Sequence, residues 1–165
     1  MTSSQPTELR IVVGIDGSRE SRQALRWGGW LAATADAWLE VVGVWQYPAA
    51  SNWSTSGVPT NWSPEQDMLK VLTDAVNAVF GDQRPTRLRL LPVEGHPVPA
   101  LLERSQGALA VVVGSRGHGG FGGMLIGAVS AKLAEHASCP VLVVHGDALP
   151  TTAAQPATAA PASVS

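Results

Sequence analysis

The sequence predicts a doubly wound α/β fold on three observations. Apolar runs occur at residues 11–15, 39–44, 88–93, 111–113 and 140–144, and the run at 111–113 has no polar alternation, as in a parallel strand covered on both faces. Segments with helical spacing separate these runs, giving the order β α β α β α β α β with connections long enough for parallel crossovers. Between the fourth strand and its helix, six glycines crowd into residues 114–123. Such a turn lets backbone N–H groups approach one anion, and the positive end of the following helix faces the same place.

Each element has its own warrant. The first strand, 11–15, stops at Asp16-Gly17-Ser18, where Ser18 can cap a helix that carries Glu20 in its first turn. Ala24, Trp27, Gly28, Leu31 and Ala35 continue that helix at regular spacing. The second strand, 39–44, runs into Trp45-Gln46-Tyr47-Pro48, and residues 49–61 read as an irregular surface loop containing Trp53. Ser63-Pro64-Glu65-Gln66 is a capping box with proline at the first helical position, and Gly81 ends the helix that follows. A strand at 88–93 and a short helix at 97–106, closed by Gly107, lead to the strand at 111–113. The next helix is expected to begin at about Met124, and the last strand spans 140–144.

Composition narrows the class of protein. With 165 residues, 45% of them hydrophobic, the chain reads as one domain of ordinary core size. Its net charge is −2 and it has no basic run, so neither nucleic acid nor a membrane is expected as a partner. The first ten residues are polar and lack the apolar stretch of a signal peptide, so the expected location is cytoplasmic. Cys139 is the single cysteine and reads as a buried thiol before a strand. Residues 1–8 read as a flexible N-terminus, 9–146 as the folded domain, and 147–165 as an Ala/Thr/Pro-rich disordered tail.

The spacing Gly114-Ser115-Arg116-Gly117, nine residues, then Gly127 is similar to the G-2x-G-9x-G-[S/T] nucleotide signature of the universal stress protein family. VVGIDGS near the start and SCPVLVV near the end resemble the same family, and the likeness covers about residues 9–145. The resemblance implies a five-stranded parallel sheet of order 3-2-1-4-5, Rossmann-like, and homodimers. In the family's ATP-binding branch it implies ATP, with Mg2+ as a companion ion, between the ends of the first and fourth strands. The matched positions are Gly14, Ile15, Asp16, Val44, Gly114, Ser115, Arg116, Gly117, His118, Gly127, Ala128, Val129 and Ser130. Asp16 and Val44 would lie beside the adenosine, the three glycines around the phosphates, and the Ser130 hydroxyl near the terminal phosphate. Ala128 departs from the pattern, which has serine or threonine there. A lost hydrogen bond to a charged group costs roughly 1.5–3 kcal/mol, so the departure implies weaker binding rather than none.

Other readings compete. Gly117-His118-Gly119-Gly120-Phe121-Gly122 fits the letters GxGxxG, but it starts three residues past the fourth strand, where a dinucleotide motif belongs at the end of the first. His96, His118, His136 and His145 share no i, i+4 pair, so no metal site is expected. Trp27, Trp30 and Trp38 read as packing, whereas Trp53 and Trp62 either plug the long loop against the domain or cover a ligand. No GK[S/T] follows the glycine loop and no Ser/His/Asp group accompanies it, so the chain is not expected to be an enzyme, with slow ATP hydrolysis as the only chemistry in reach. The rival to nucleotide binding is a dimeric scaffold of the same fold, and a small oxidoreductase comes last.

Overall fold

The computed structural model describes residues 8–47, 61–117 and 126–150. Among them lie β1 (Arg10–Ile15), α1 (Arg19–Thr34), β2 (Trp38–Trp45), α2 (Pro64–Phe80), β3 (Leu88–Glu94), α3 (Pro97–Ser105), β4 (Ala110–Gly114), α4 (Ala128–His136) and β5 (Val141–Val144). The strands form one parallel sheet in the order β3-β2-β1-β4-β5, as the resemblance implies.

Period-two alternation divides the core between the two faces of the sheet. Val13 and Ile15 of β1, Leu39 and Val41 of β2, and Val112 of β4 meet Leu25 of α1 and Leu72 and Val76 of α2. Val12, Val42, Val111 and Val113 point the other way and meet Leu101 of α3 and Leu133 of α4. The strands read as continuous apolar runs because both faces are covered. Glu40 is the exception. It is 4% exposed, and its carboxylate lies 3.3 Å from Arg10, 3.4 Å from Arg89 and 4.0 Å from Arg104. Three guanidiniums thus surround one buried acid near the amino ends of the strands, away from the end where the turns gather.

Helix starts follow local chemistry. Ser18 caps α1 by accepting the Ser21 amide at 3.1 Å, and Ser63 caps α2 by accepting the Gln66 amide at 3.3 Å. The expected helix start near 124 is corrected. Residues 118–125 lie outside the described residues, and Gly127, with φ −75° and ψ 162°, is the non-helical cap of a helix that begins at Ala128. Its amide is bound to the Ser115 carbonyl, which fixes the chain out of the helix at that point. Cys139 is half-buried rather than buried, with desolvation holding its thiol above the ordinary pKa. Beyond β5, Asp147 pairs with Arg19 and the Ala148 carbonyl accepts the Trp27 indole N–H at 3.0 Å, so the chain leaves the sheet along α1.

Candidate functional site

In a 3-2-1-4-5 sheet the chain winds one way from β1 through β3 and the other way from β4, so the connections after β1 and β4 part and open a crevice at their carboxyl ends. A cavity of about 390 Å³ lies there. Gly14, Ile15 and Asp16 line it from β1 and its exit, and Val44 lines it from β2. Gly114, Arg116 and Gly117 come from the end of β4, and Gly127, Ala128, Val129 and Ser130 from the start of α4. One cavity therefore gathers nearly every position that the glycine spacing and its companions single out. Ser115 is the described exception: it is buried, its amide donates to the Val144 carbonyl at 2.7 Å, and its carbonyl accepts the Gly127 amide at 2.5 Å. It shapes the turn from behind. His118 lies outside the described residues, as does Trp53.

The glycines are fixed by close approach. A Cβ on Gly114 would sit 2.8 Å from the Glu20 carbonyl carbon, so the end of β4 can touch the first turn of α1 only without a side chain. A Cβ on Gly117 would fall 2.4 Å from Oδ2 of Asp16. The other oxygen of that carboxylate accepts the Ser18 amide at 2.9 Å, an Asx turn that sets the loop before α1. At Gly127 a Cβ would face the Ser115 carbonyl oxygen at 3.2 Å, toward the turn.

The Ser130 hydroxyl is buried and donates to the Gly114 carbonyl at 2.6 Å, tying α4 to the end of β4. Its one proton is therefore in use within the protein. Ser21, Val42, Pro97, Leu101 and Val113 also line the cavity and were not anticipated. Val42 could have been found, since it stands two residues before Val44 on the same strand face. Leu101 could not: it reaches the cavity because α3 packs across β1, where a Cβ on Gly14 would lie 3.1 Å from the Leu101 Cδ1.

The lining is chemically mixed. Val42, Val44, Leu101 and Val113 are apolar, while Asp16, Arg116 and the first turn of α4 are polar. A flat apolar group with an attached anion would match both kinds of lining, the anion suiting the amides of a helix N-terminus. Trp62 does not line the cavity. Its indole N–H donates to Asp67 at 2.8 Å and its ring meets Tyr47 edge-on with centroids 6.3 Å apart, at the start of α2. Among the described residues no three His, Cys, Asp or Glu side chains gather as metal ligands, and no helix is long and apolar enough to cross a membrane.

Fold and cavity together define a Rossmann-like α/β domain with a crevice at its topological switch point. The chain belongs to the universal stress protein family, whose family model matches residues 9–145. Universal stress protein Rv2005c of Mycobacterium tuberculosis is 36% identical over 142 residues, covering 83% of this chain and 48% of that protein. Universal stress protein Rv2623 of the same species is 32% identical over 141 residues, covering 85% and 46% respectively. This chain thus spans about half the length of the curated relatives it matches. Among solved structures, a universal stress protein in complex with cAMP is 28% identical, with a TM-score of 0.59, covering 84% of this chain and 98% of that one. A universal stress protein from Archaeoglobus fulgidus, 19% identical with a TM-score of 0.62, shares the fold, covering 83% of this chain and 98% of that one.

Proposed function

We propose that this chain is a nucleotide-binding regulatory protein that holds an adenine nucleotide in the switch-point cavity, acts as a homodimer, and catalyses no reaction of its own. The observation that carries this reading is the meeting of Asp16, Val44, Gly114, Gly117 and Gly127 around one cavity with a mixed apolar and polar lining. These residues come from three stretches far apart in the sequence, at 16, 44 and 114–127, and a plain packing role for the glycines would not require a shared cavity. The relative in complex with cAMP supports a nucleotide as the ligand class. Arg116 would contact phosphate, Val44 would offer backbone groups to the base, and Asp16 would lie beside the sugar. Mg2+, if carried in with a triphosphate, would find Asp16 as a carboxylate in the lining.

The scaffold reading has one observation in its favour: Ala128 brings no hydroxyl to the α4 start, and that of Ser130 is bound to Gly114. Isothermal titration with ATP, the nucleotide that the family resemblance implies, and with shorter adenine nucleotides decides between the two. Binding at micromolar to millimolar concentration, with one ligand per chain, is expected. No heat from any of them at millimolar ligand would leave the scaffold reading.

A further inference from the structure

At the amino ends of the strands, opposite the cavity, positive charge exceeds the acid that meets it. Arg10, Arg89 and Arg104 converge on Glu40, and Arg87 pairs with Asp36 at 3.0 Å. Glu8 joins Arg89 at 2.7 Å, so four guanidiniums share three carboxylates. All 13 acidic side chains of the chain lie within the described residues, so the segments outside them bring no further side-chain carboxylate to this end.

The surplus sits on Arg104. Among the described residues the one carboxylate within its reach is that of Glu40, at 4.0 Å, and its guanidinium donates no hydrogen bond there. Glu40 is already shared with Arg10 at 3.3 Å and Arg89 at 3.4 Å, longer than the about 2.7–2.9 Å of a charge-assisted hydrogen bond. The buried acid therefore draws the guanidiniums together without saturating them, and the Arg89 and Arg104 side chains stay 37% exposed.

Apolar side chains border these arginines. Leu9 and Leu109 are 48% and 38% exposed. The Leu109 amide donates to the Arg10 carbonyl and the Leu9 carbonyl accepts the Trp38 amide, which ties one leucine to each side of the cluster. The Arg89 guanidinium lies 4.0 Å over the Trp38 ring, and a stacked guanidinium is held in place before any partner arrives. Arginine and tryptophan are enriched in protein contacts, and the two leucines add the apolar area that a plain charged face lacks.

We propose that this end of the sheet is a docking surface for an acidic segment of a partner protein, one that offers a glutamate or aspartate beside an apolar side chain. The carboxylate takes the unused N–H groups of Arg104, as the fourth acid for four guanidiniums, and the apolar neighbour covers Leu9 or Leu109. A free phosphate would match the charge and leave the leucines in water. A nucleic acid would bring a row of phosphates to one unmatched cation.

The test is an NMR titration of the isotope-labelled full chain with a capped peptide of alternating leucine and glutamate. The same peptide with glutamine for glutamate, inorganic phosphate and a duplex oligonucleotide are titrated alongside. The Trp38 indole and Arg104 side-chain signals should shift with the acidic peptide, which should bind at least about tenfold more tightly than its glutamine counterpart. Arg104→Gln should weaken the acidic peptide by about tenfold, the loss expected for a hydrogen bond to a charged group. Leu9→Ser should weaken it by about threefold through lost apolar burial, with the circular-dichroism spectrum of both variants unchanged. Equal affinity for the two peptides, or unchanged affinity in folded Arg104→Gln, would overturn the proposal. Phosphate that moves the same signals as tightly as the peptide would make this a small-anion site and overturn the docking surface. A duplex that binds there more tightly than the peptide would overturn it in favour of nucleic acid.

Discussion

Gly117 shows how little room the site leaves at the scale of one residue. Its Cα faces the Asp16 carboxylate so closely that an added methyl group would overlap Oδ2 at 2.4 Å. Gly117→Ala must push Asp16 aside or move the turn, and the Asx bond from Ser18 to Asp16 ties that movement to the start of α1. The expected result is a loss of about 1–3 kcal/mol in urea unfolding, the range for overpacking a close contact, together with weaker nucleotide binding. Unchanged stability and unchanged affinity would show that the loop yields freely. Gly127 is a poorer probe of phosphate space, because its Cβ would meet the Ser115 carbonyl before any ligand. Here the sequence was informative in one respect and silent in another. The spacing of Gly114, Gly117 and Gly127 points to a turn whose glycines line one cavity, and it could be read because the turn is local. What each glycine touches depends on Glu20 and Asp16, brought in by the pairing of β4 with β1, and no local pattern records that.

At the scale of the element, β2 carries both an anticipated feature and a hidden one. Its apolar run announced a buried strand, and the capping residues of α1 and α2 were legible because each cap lies within three residues of its partner. Glu40 was not legible as anything but an interruption, since its partners Arg10, Arg89 and Arg104 stand on three other elements. The three arginines stay partly in water, so the acid gains attraction without full desolvation of its partners. Removing it leaves three like charges facing one another across the amino ends of the strands. Glu40→Ala should therefore destabilise the fold by about 2–3 kcal/mol, below the cost of breaking a fully buried pair, while leaving the cavity at the other end of the sheet and its proposed nucleotide affinity unchanged. Glu40→Gln should cost less than Glu40→Ala, because the amide oxygen can still accept from a guanidinium. Denaturant midpoints for the two variants check the order, and equal midpoints would mean that the contribution comes from the negative charge alone, which both substitutions remove. The cavity lining was more legible than this cluster for a plain reason: it is built from turn residues, whose types are constrained, whereas a buried charge needs only that some opposite charge arrive in space.

The whole molecule raises the question of what covers β5. The observed order puts it at one edge of the sheet, beside β4 alone. Val111 donates to the carbonyl of Pro140 and Ser115 to that of Val144, so the alternate positions 140, 142 and 144 face β4. By the two-residue period of a strand, the backbone groups of Val141 and Val143 point away from the sheet. The side chains of Val141, Leu142 and Val143 are only partly buried, and the strand carries no charge to discourage a second strand from pairing there. A second copy offering the same edge antiparallel about a two-fold axis would satisfy both sets of outward groups and close the assembly at two chains. Val143→Pro is the discriminating substitution, because it deletes an outward donor and leaves the bonds to β4 at 142 and 144 in place. Light scattering should report a dimer for the unmodified chain and a monomer for the variant, with the circular-dichroism spectrum unchanged between them. A monomer for the unmodified chain at about tens of micromolar, the concentration at which an interface of standard size should hold, would remove the edge-pairing proposal.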